Sequence, residues 1–208
     1  MLKQVSLFWG VLLLLAPWAS AHPYLPLAPG NTLTYDYMFR VETTRKEFKQ
    51  ADTDGSITAV CDEWLEKNSK RYLRQVTTYE GIPFMKEKVM LWRRDDPSGI
   101  YIGQEKKPGV ISDTIELPAD VSVGVEWSYD DGAKSVRKVA RKLDYTLPSG
   151  ERLEDCIEVV RRIPSNPAWQ DFSIYCRGIG AVETKILQKT PVGLYRTETR
   201  LRSYKKAP

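Results

Sequence analysis

A two-residue period in the apolar side chains constrains this chain more than any other feature. From Leu33 they fall on alternate positions, Leu33, Tyr35, Tyr37, Phe39 and Val41, with Thr34, Asp36 and Arg40 between them. Val123, Val125, Trp127 and Tyr129 repeat the pattern, as do Val139, Leu143, Tyr145 and Leu147. A period of two puts one strand face in a core and the other in water, whereas a helix needs a period near 3.6. One wet face and one dry face is the pattern of an antiparallel sheet. Turn-forming clusters punctuate the runs at Asp54-Gly55, Asp96-Pro97-Ser98-Gly99, Lys107-Pro108-Gly109, Asp131-Gly132, Pro148-Ser149-Gly150 and Pro191-Val192-Gly193. The expected fold is therefore all-β: an antiparallel meander forming a curved half-barrel or a barrel-like sheet.

One hairpin can be specified residue by residue. Pairing Leu153 to Ile163 with Trp169 to Ile179 so that Arg161 faces Asp171 also sets Asp155 against Arg177. In the same register Val160 faces Phe172, Ile157 faces Tyr175 and Ile163 faces Trp169. Opposite charges and apolar pairs land together, as cross-strand neighbours should. Cys156 then faces Cys176, within disulfide reach, and a Cys156–Cys176 bond is expected. Cys61 is left as a buried thiol rather than a nucleophile.

The first 21 residues read as an export signal. Lys3 supplies a short positive start, Leu7 to Ala16 an apolar stretch, and Ala19-Ser20-Ala21 a small-residue cleavage site. The apolar stretch is shorter than the roughly 20 residues that span a bilayer. A single mature domain, 22–208, without a transmembrane anchor and located in the periplasm or secreted, is the expectation. An oxidising compartment suits the disulfide. Losing the leader removes Lys3 and no acidic residue, so the net charge drops by one unit from +4. The basic residues near the end, Arg196, Arg200, Arg202, Lys205 and Lys206, fit a solvated strand face. The weak, mixed charge does not fit a nucleic-acid partner.

Two segments echo one another. Leu27 to Tyr37 lies on Val121 to Asp131 without gaps, matching Gly30 to Gly124, Tyr35 to Tyr129 and Asp36 to Asp130. Each reads as a turn glycine launching a strand with aromatic residues on one face. The opening Leu-x-Pro-Gly-Asn-Thr-x-Thr-Tyr, the central Val-Gly-Val-Glu-Trp-Ser-Tyr, the Asp155-Cys156 strand and Gly178-Ile179-Gly180-Ala181-Val182-Glu183 resemble elements of uncharacterised bacterial exported β-rich proteins. More distantly they resemble the half-barrel carriers of the LolA and LppX type. That resemblance implies a non-catalytic module holding a lipid or other hydrophobic small molecule in the concave face of the sheet. The helices that lid those carriers have no counterpart in the sequence. Tyr35, Tyr37, Trp127 and Tyr129 are the candidate groove aromatics, with core packing as their ordinary role.

Other chemistry finds few residues. The only histidine, His22, would become the mature N-terminus, where an α-amine and an imidazole could share a copper ion. The chain holds no second histidine for a brace, and the ordinary reading of His22 is a frayed end. A Ser-His-Asp or Cys-His centre would depend on that same residue. The three cysteines lack zinc spacing, and no phosphate-binding loop is present. Asp130-Asp131 reads as a turn rather than a carboxylate pair. No enzyme and no cofactor are expected. An assembly partner of envelope proteins, using an exposed sheet edge, is the alternative to the carrier. A carbohydrate-active or copper protein using His22 is the weaker one. N-terminal sequencing of the exported protein should begin at His22; an intact Met1 start would remove the leader.

Overall fold

The computed structural model describes residues 22–43, 52–83, 85–129 and 132–207. The leader and the Asp130-Asp131 pair lie outside the described residues. Twelve strands follow one another: β1 (Thr32–Glu42), β2 (Thr53–Lys67), β3 (Lys70–Glu80), β4 (Lys88–Asp96), β5 (Gly99–Lys107), β6 (Val110–Pro118), β7 (Glu126–Tyr129), β8 (Ser135–Thr146), β9 (Arg152–Arg162), β10 (Trp169–Cys176), β11 (Gly180–Thr190) and β12 (Gly193–Lys205). No helix occurs among the described residues. The strands form one antiparallel sheet in the order β6-β5-β4-β3-β2-β1-β12-β11-β10-β9-β8-β7. The first and last strands pair from Thr32↔Lys205 to Glu42↔Leu194. The sheet curls until β6 and β7 approach one another, but no ladder joins them. The result is a nearly closed barrel with one unsealed seam, the barrel-like rather than the half-barrel form.

The hairpin register holds from Gln170↔Arg162 to Cys176↔Cys156, including Asp171↔Arg161. Cys156 and Cys176 are bonded, and Cys61 is buried and free. Of the six expected turns, four fall between strands and so does Gly132 of a fifth, whose Asp131 lies outside the described residues. Asp54-Gly55 does not: Gly55 lies inside β2, opposite Tyr37. A Cβ at Gly55 would sit 2.5 Å from the Glu80 carbonyl oxygen and 2.6 Å from Ile82. Glycine is required there for close packing, not for a turn. One turn the sequence hid is Asn68-Ser69, where both residues adopt positive φ between β2 and β3.

Alternation misleads in two places. β7 begins only at Glu126, and Val123 is 56% exposed before it. In β8, register shifts between Val139 and Arg141 and between Leu143 and Tyr145 break the expected single face. Val139 joins one core cluster, while Leu143 and Tyr145 pack against another. A bulge adds one residue to a strand and reverses the facing that a strict period of two assigns.

The internal echo is real in backbone terms. The Gly30 N–H donates to the Cys61 carbonyl at 2.7 Å, and the Cys61 N–H to the Asn31 carbonyl at 2.8 Å. In the second half the Gly124 N–H donates to Val139 at 2.8 Å, and the Val139 N–H to Val125 at 3.0 Å. Asn31 to Ala28 and Val125 to Ser122 complete the match. Gly30 and Gly124 both need positive φ, at 90° and 96°. Strands β1–β6 and β7–β12 are thus two six-strand meanders launched in the same way.

One core cluster fills the base of the barrel with Cys61, Leu73, Ile100, Leu117, Val139, Ile157, Val159 and Tyr175. The segment before β1 caps it with Tyr24, Leu25 and Leu27. A second cluster, with Leu147, Leu153, Ile174, Val182 and Leu201, gathers around the disulfide. That bond closes a span of 20 residues, worth about 3 kcal/mol through the unfolded chain. Replacing Cys156 and Cys176 by alanine should lower unfolding free energy by about that amount in denaturant titration. The wild type should lose the same amount on reduction, and the double variant none.

Candidate functional site

The register decides which side chains face the lumen. Tyr35 and Tyr37 on β1 pair across to Ile57 and Gly55 on β2, and Cys61 pairs with Gln75 on β3. Leu73 faces Arg93 on β4, which faces Ile102 on β5 and then Thr114 on β6. On the opposite wall Trp127, Arg137, Arg161 and Asp171 stand directly opposite one another on β7, β8, β9 and β10. β1 and β7 lie six places apart in a sheet of twelve strands. The four candidate aromatics therefore face each other across the barrel, as two pairs on opposite walls rather than one groove. Tyr35 donates to the Ala181 carbonyl at 2.9 Å, and Tyr37 is 8% exposed. Trp127 packs against the base cluster. Tyr129 lies under the Arg137 guanidinium at 3.7 Å, with Arg161 at 5.9 Å.

Burial falls along the lumen. The base residues are almost fully enclosed. Nearer the other mouth Phe39, Ile57, Val89, Leu91, Ile102, Ile186 and Tyr195 are only half-buried. Between these levels runs a belt of charge. Arg93 clasps Glu116 with two bonds, Nε to Oε2 at 2.9 Å and Nη2 to Oε1 at 3.1 Å, and also donates to Gln75. Arg161 pairs with Asp171 at 3.2 Å. Arg137 reaches across the seam and donates from Nη1 to the Glu116 carbonyl at 3.1 Å. Burial pulls the Arg93 guanidinium down, but the net shift is upward, with Glu116 foremost among the opposing causes. Burial likewise opposes the charge of Arg137, and the net shift is nevertheless upward, with the Glu116 and Asp171 carboxylates among its causes. Burial pushes the hydroxyls of Tyr35 and Tyr175 well up, so both stay neutral. Burial also raises the Cys61 thiol, which keeps it unreactive.

The base is closed by the segment that begins at His22. Sequence reasoning placed this residue on a frayed end; it is 5% exposed and bonded through both ring nitrogens. Nε2 donates to the Pro118 carbonyl at 2.9 Å, and Nδ1 accepts from the Tyr24 N–H at 3.3 Å. A copper ion would have to displace both bonds. Tyr24 donates to Asp155 Oδ1 at 2.6 Å, and Arg177 grips the other carboxylate oxygen. Those two bonds hold the Asp155 carboxyl below the usual aspartate range, so this fastening persists as pH falls through the ordinary aspartate pKa and is lost only below it. The Gly178 N–H donates to the Pro23 carbonyl at 2.6 Å. His22 and Arg137 cap two carbonyls, Pro118 and Glu116, spaced two residues apart on β6. Both therefore point off the same edge of that strand. Strand addition at the seam would have to displace these caps.

The belt was missed at the sequence level because Arg137 and Arg161 are ordinary in a charged chain. Their only signal was parity. Arg161 shares the face of Ile157 and Val159, and Arg137 that of Val139. At the tip of the β9–β10 hairpin, residues of both faces, among them Ile163, Pro164, Trp169 and Phe172, line an apolar cavity of about 380 Å³.

The Arg93–Glu116 pair has side chains 13% and 8% exposed. Glu116→Leu alone should cost about 3–5 kcal/mol by stranding the guanidinium. Arg93→Met combined with Glu116→Leu should recover most of that loss. Denaturant unfolding of the two variants and the wild type checks this.

No family model and no curated protein matches this chain. Among solved structures, a candidate lipoprotein from Parabacteroides distasonis is 15% identical, with a TM-score of 0.52 over 89% of this chain and 99% of its own. A candidate exported protein with a YmcC-like fold from Bacteroides fragilis is 13% identical, with a TM-score of 0.52 over 89% of this chain and all of its own. This chain shares their fold.

Proposed function

We propose that the protein is an exported, non-catalytic binding or carrier module that holds a hydrophobic molecule in the barrel lumen. The observation that carries this reading is the burial gradient along the inward face of the barrel. The base is packed and capped by Tyr24, Leu25 and Leu27, while Phe39, Ile57, Leu91, Ile102 and Ile186 above it keep part of their surface uncovered. Uncovered apolar wall inside a barrel is the environment that hydrophobic ligands occupy. The disulfide, the leader-like first 21 residues and the shared fold with a candidate exported protein support an extracytoplasmic setting. The resemblance to LolA- and LppX-type carriers points the same way, here with a barrel in place of a lidded half-barrel.

Native mass spectrometry of protein purified without detergent from bacterial envelopes tests the reading. A bound mass in the lipid range, released by organic solvent, is the expected result. Empty protein that also fails to bind acyl-chain probes would overturn it.

A further inference from the structure

Among the described residues the lumen belt holds more guanidiniums than carboxylates. Three guanidiniums enter it, Arg93, Arg137 and Arg161, against two carboxylates, Glu116 and Asp171. Arg93 takes Glu116 and Arg161 takes Asp171. No carboxylate bonds to Arg137 among the described residues; its partners are the Glu116 carbonyl and the face of Tyr129. Arg137 also stands directly opposite Arg161 in the β8–β9 ladder. Like charges facing across two strands repel, and a poorly hydrated barrel interior weakens the screening.

The same wall carries donors without acceptors. The indole N–H groups of Trp127 and Trp169 are buried and unbonded. Trp127 is the direct cross-strand neighbour of Arg137, and Trp169 lies with the Arg161 guanidinium 5.8 Å from its ring. A buried N–H left unpaired costs free energy that an acceptor would recover. Among the described residues, the third guanidinium, the facing guanidinium pair and the two unbonded N–H donors all suit the same partner, an anion with several acceptor oxygens.

Resting on the carrier reading, we propose that the lumen ligand is an acyl chain with a carboxylate or phosphate-ester head, and that Arg137 and Arg161 seat that head beside Tyr129. The chain then lies along the half-buried wall of Phe39, Ile57, Leu91, Ile102 and Ile186. The head sits beside the β6–β7 seam, one level above the closed base. Asp171 remains on the far side of Arg161 and limits the site to a single small anionic head.

The test uses the full mature protein after delipidation, with fluorescent cis-parinaric acid as reporter. Palmitate, hexadecyl phosphate, methyl palmitate and inorganic phosphate are titrated as competitors. Palmitate or hexadecyl phosphate should displace the reporter at a concentration about tenfold or more below methyl palmitate, the scale of hydrogen bonds to a charged group. Whichever acts at the lower concentration identifies the head as carboxylate or phosphate. Inorganic phosphate should not compete, because the chain supplies the burial. In Arg137→Gln the acid and ester should become equivalent, while Arg137→Lys should keep part of the preference. Equal displacement by acid and ester in the wild type would overturn the proposal and leave the carrier reading intact, as would a preference surviving in folded Arg137→Gln. Should Arg137→Gln fail to fold, the wild-type comparison decides alone. Failure of every chain-bearing probe to bind would remove the carrier reading and this proposal together.

Discussion

The ladder between the first and last strands is the interaction on which the rest of this structure depends. Each half of the chain is a meander of six consecutive strands, and either half alone would be a curved sheet with two bare edges. Pairing β1 with β12 from Thr32↔Lys205 to Glu42↔Leu194 joins them at one edge. The remaining edges, β6 and β7, are brought round to face each other. Closure of this kind buries a face that an open sheet would leave wet and removes most unpaired backbone from the rim. Most of the other pairings are local hairpins, so this ladder is the contact of highest sequence separation in the sheet.

The seam is where closure is incomplete, and the chain covers it with side chains instead of a ladder. Arg137 takes the Glu116 carbonyl and His22 takes that of Pro118. These bonds explain why the only histidine is buried and why its imidazole is committed to structure. They also make the segment before β1 a working part of the barrel. It runs from the seam at Pro118, past Asp155 and Gly178, to the β1–β2 pair at Gly30, and it seals the base on the way.

Much of the fold was legible in the sequence because its determinants are local. Alternation in Leu33 to Val41 gave β1 its inner face. The coincidence of Arg161 with Asp171 and Cys156 with Cys176 set the register of β9 on β10. The Gly30 and Gly124 echo marked two equivalent launches. What stayed hidden depends on tertiary context. Gly55 resembles a turn residue until the Glu80 carbonyl is seen against it. The β8 bulge between Val139 and Arg141 sends Val139 and Leu143 to different clusters although their spacing assigns them one face. His22 looks frayed because nothing near it in sequence shows the Pro118 carbonyl waiting 2.9 Å away. The lumen belt is hidden for the same reason: charge is common in this chain, and only the register tells which arginines point inward.

That belt is also the one region where the chain works against its own stability. A barrel of this size could fill its middle layer with apolar side chains, as it does at the base. Burying ion pairs is seldom better than well-packed hydrophobic residues and is often worse by about 1–4 kcal/mol. Among the described residues two pairs are buried here, a third guanidinium is added without a carboxylate, and two indole N–H groups are left unbonded beside it. The local rules that hold elsewhere, apolar residues inward and polar groups satisfied, fail together in the belt above the base. Local rules break together where a site rather than a core is being built. The breaks all have the same sign, an excess of donors and positive charge, and this shared sign separates a binding wall from a collection of packing faults.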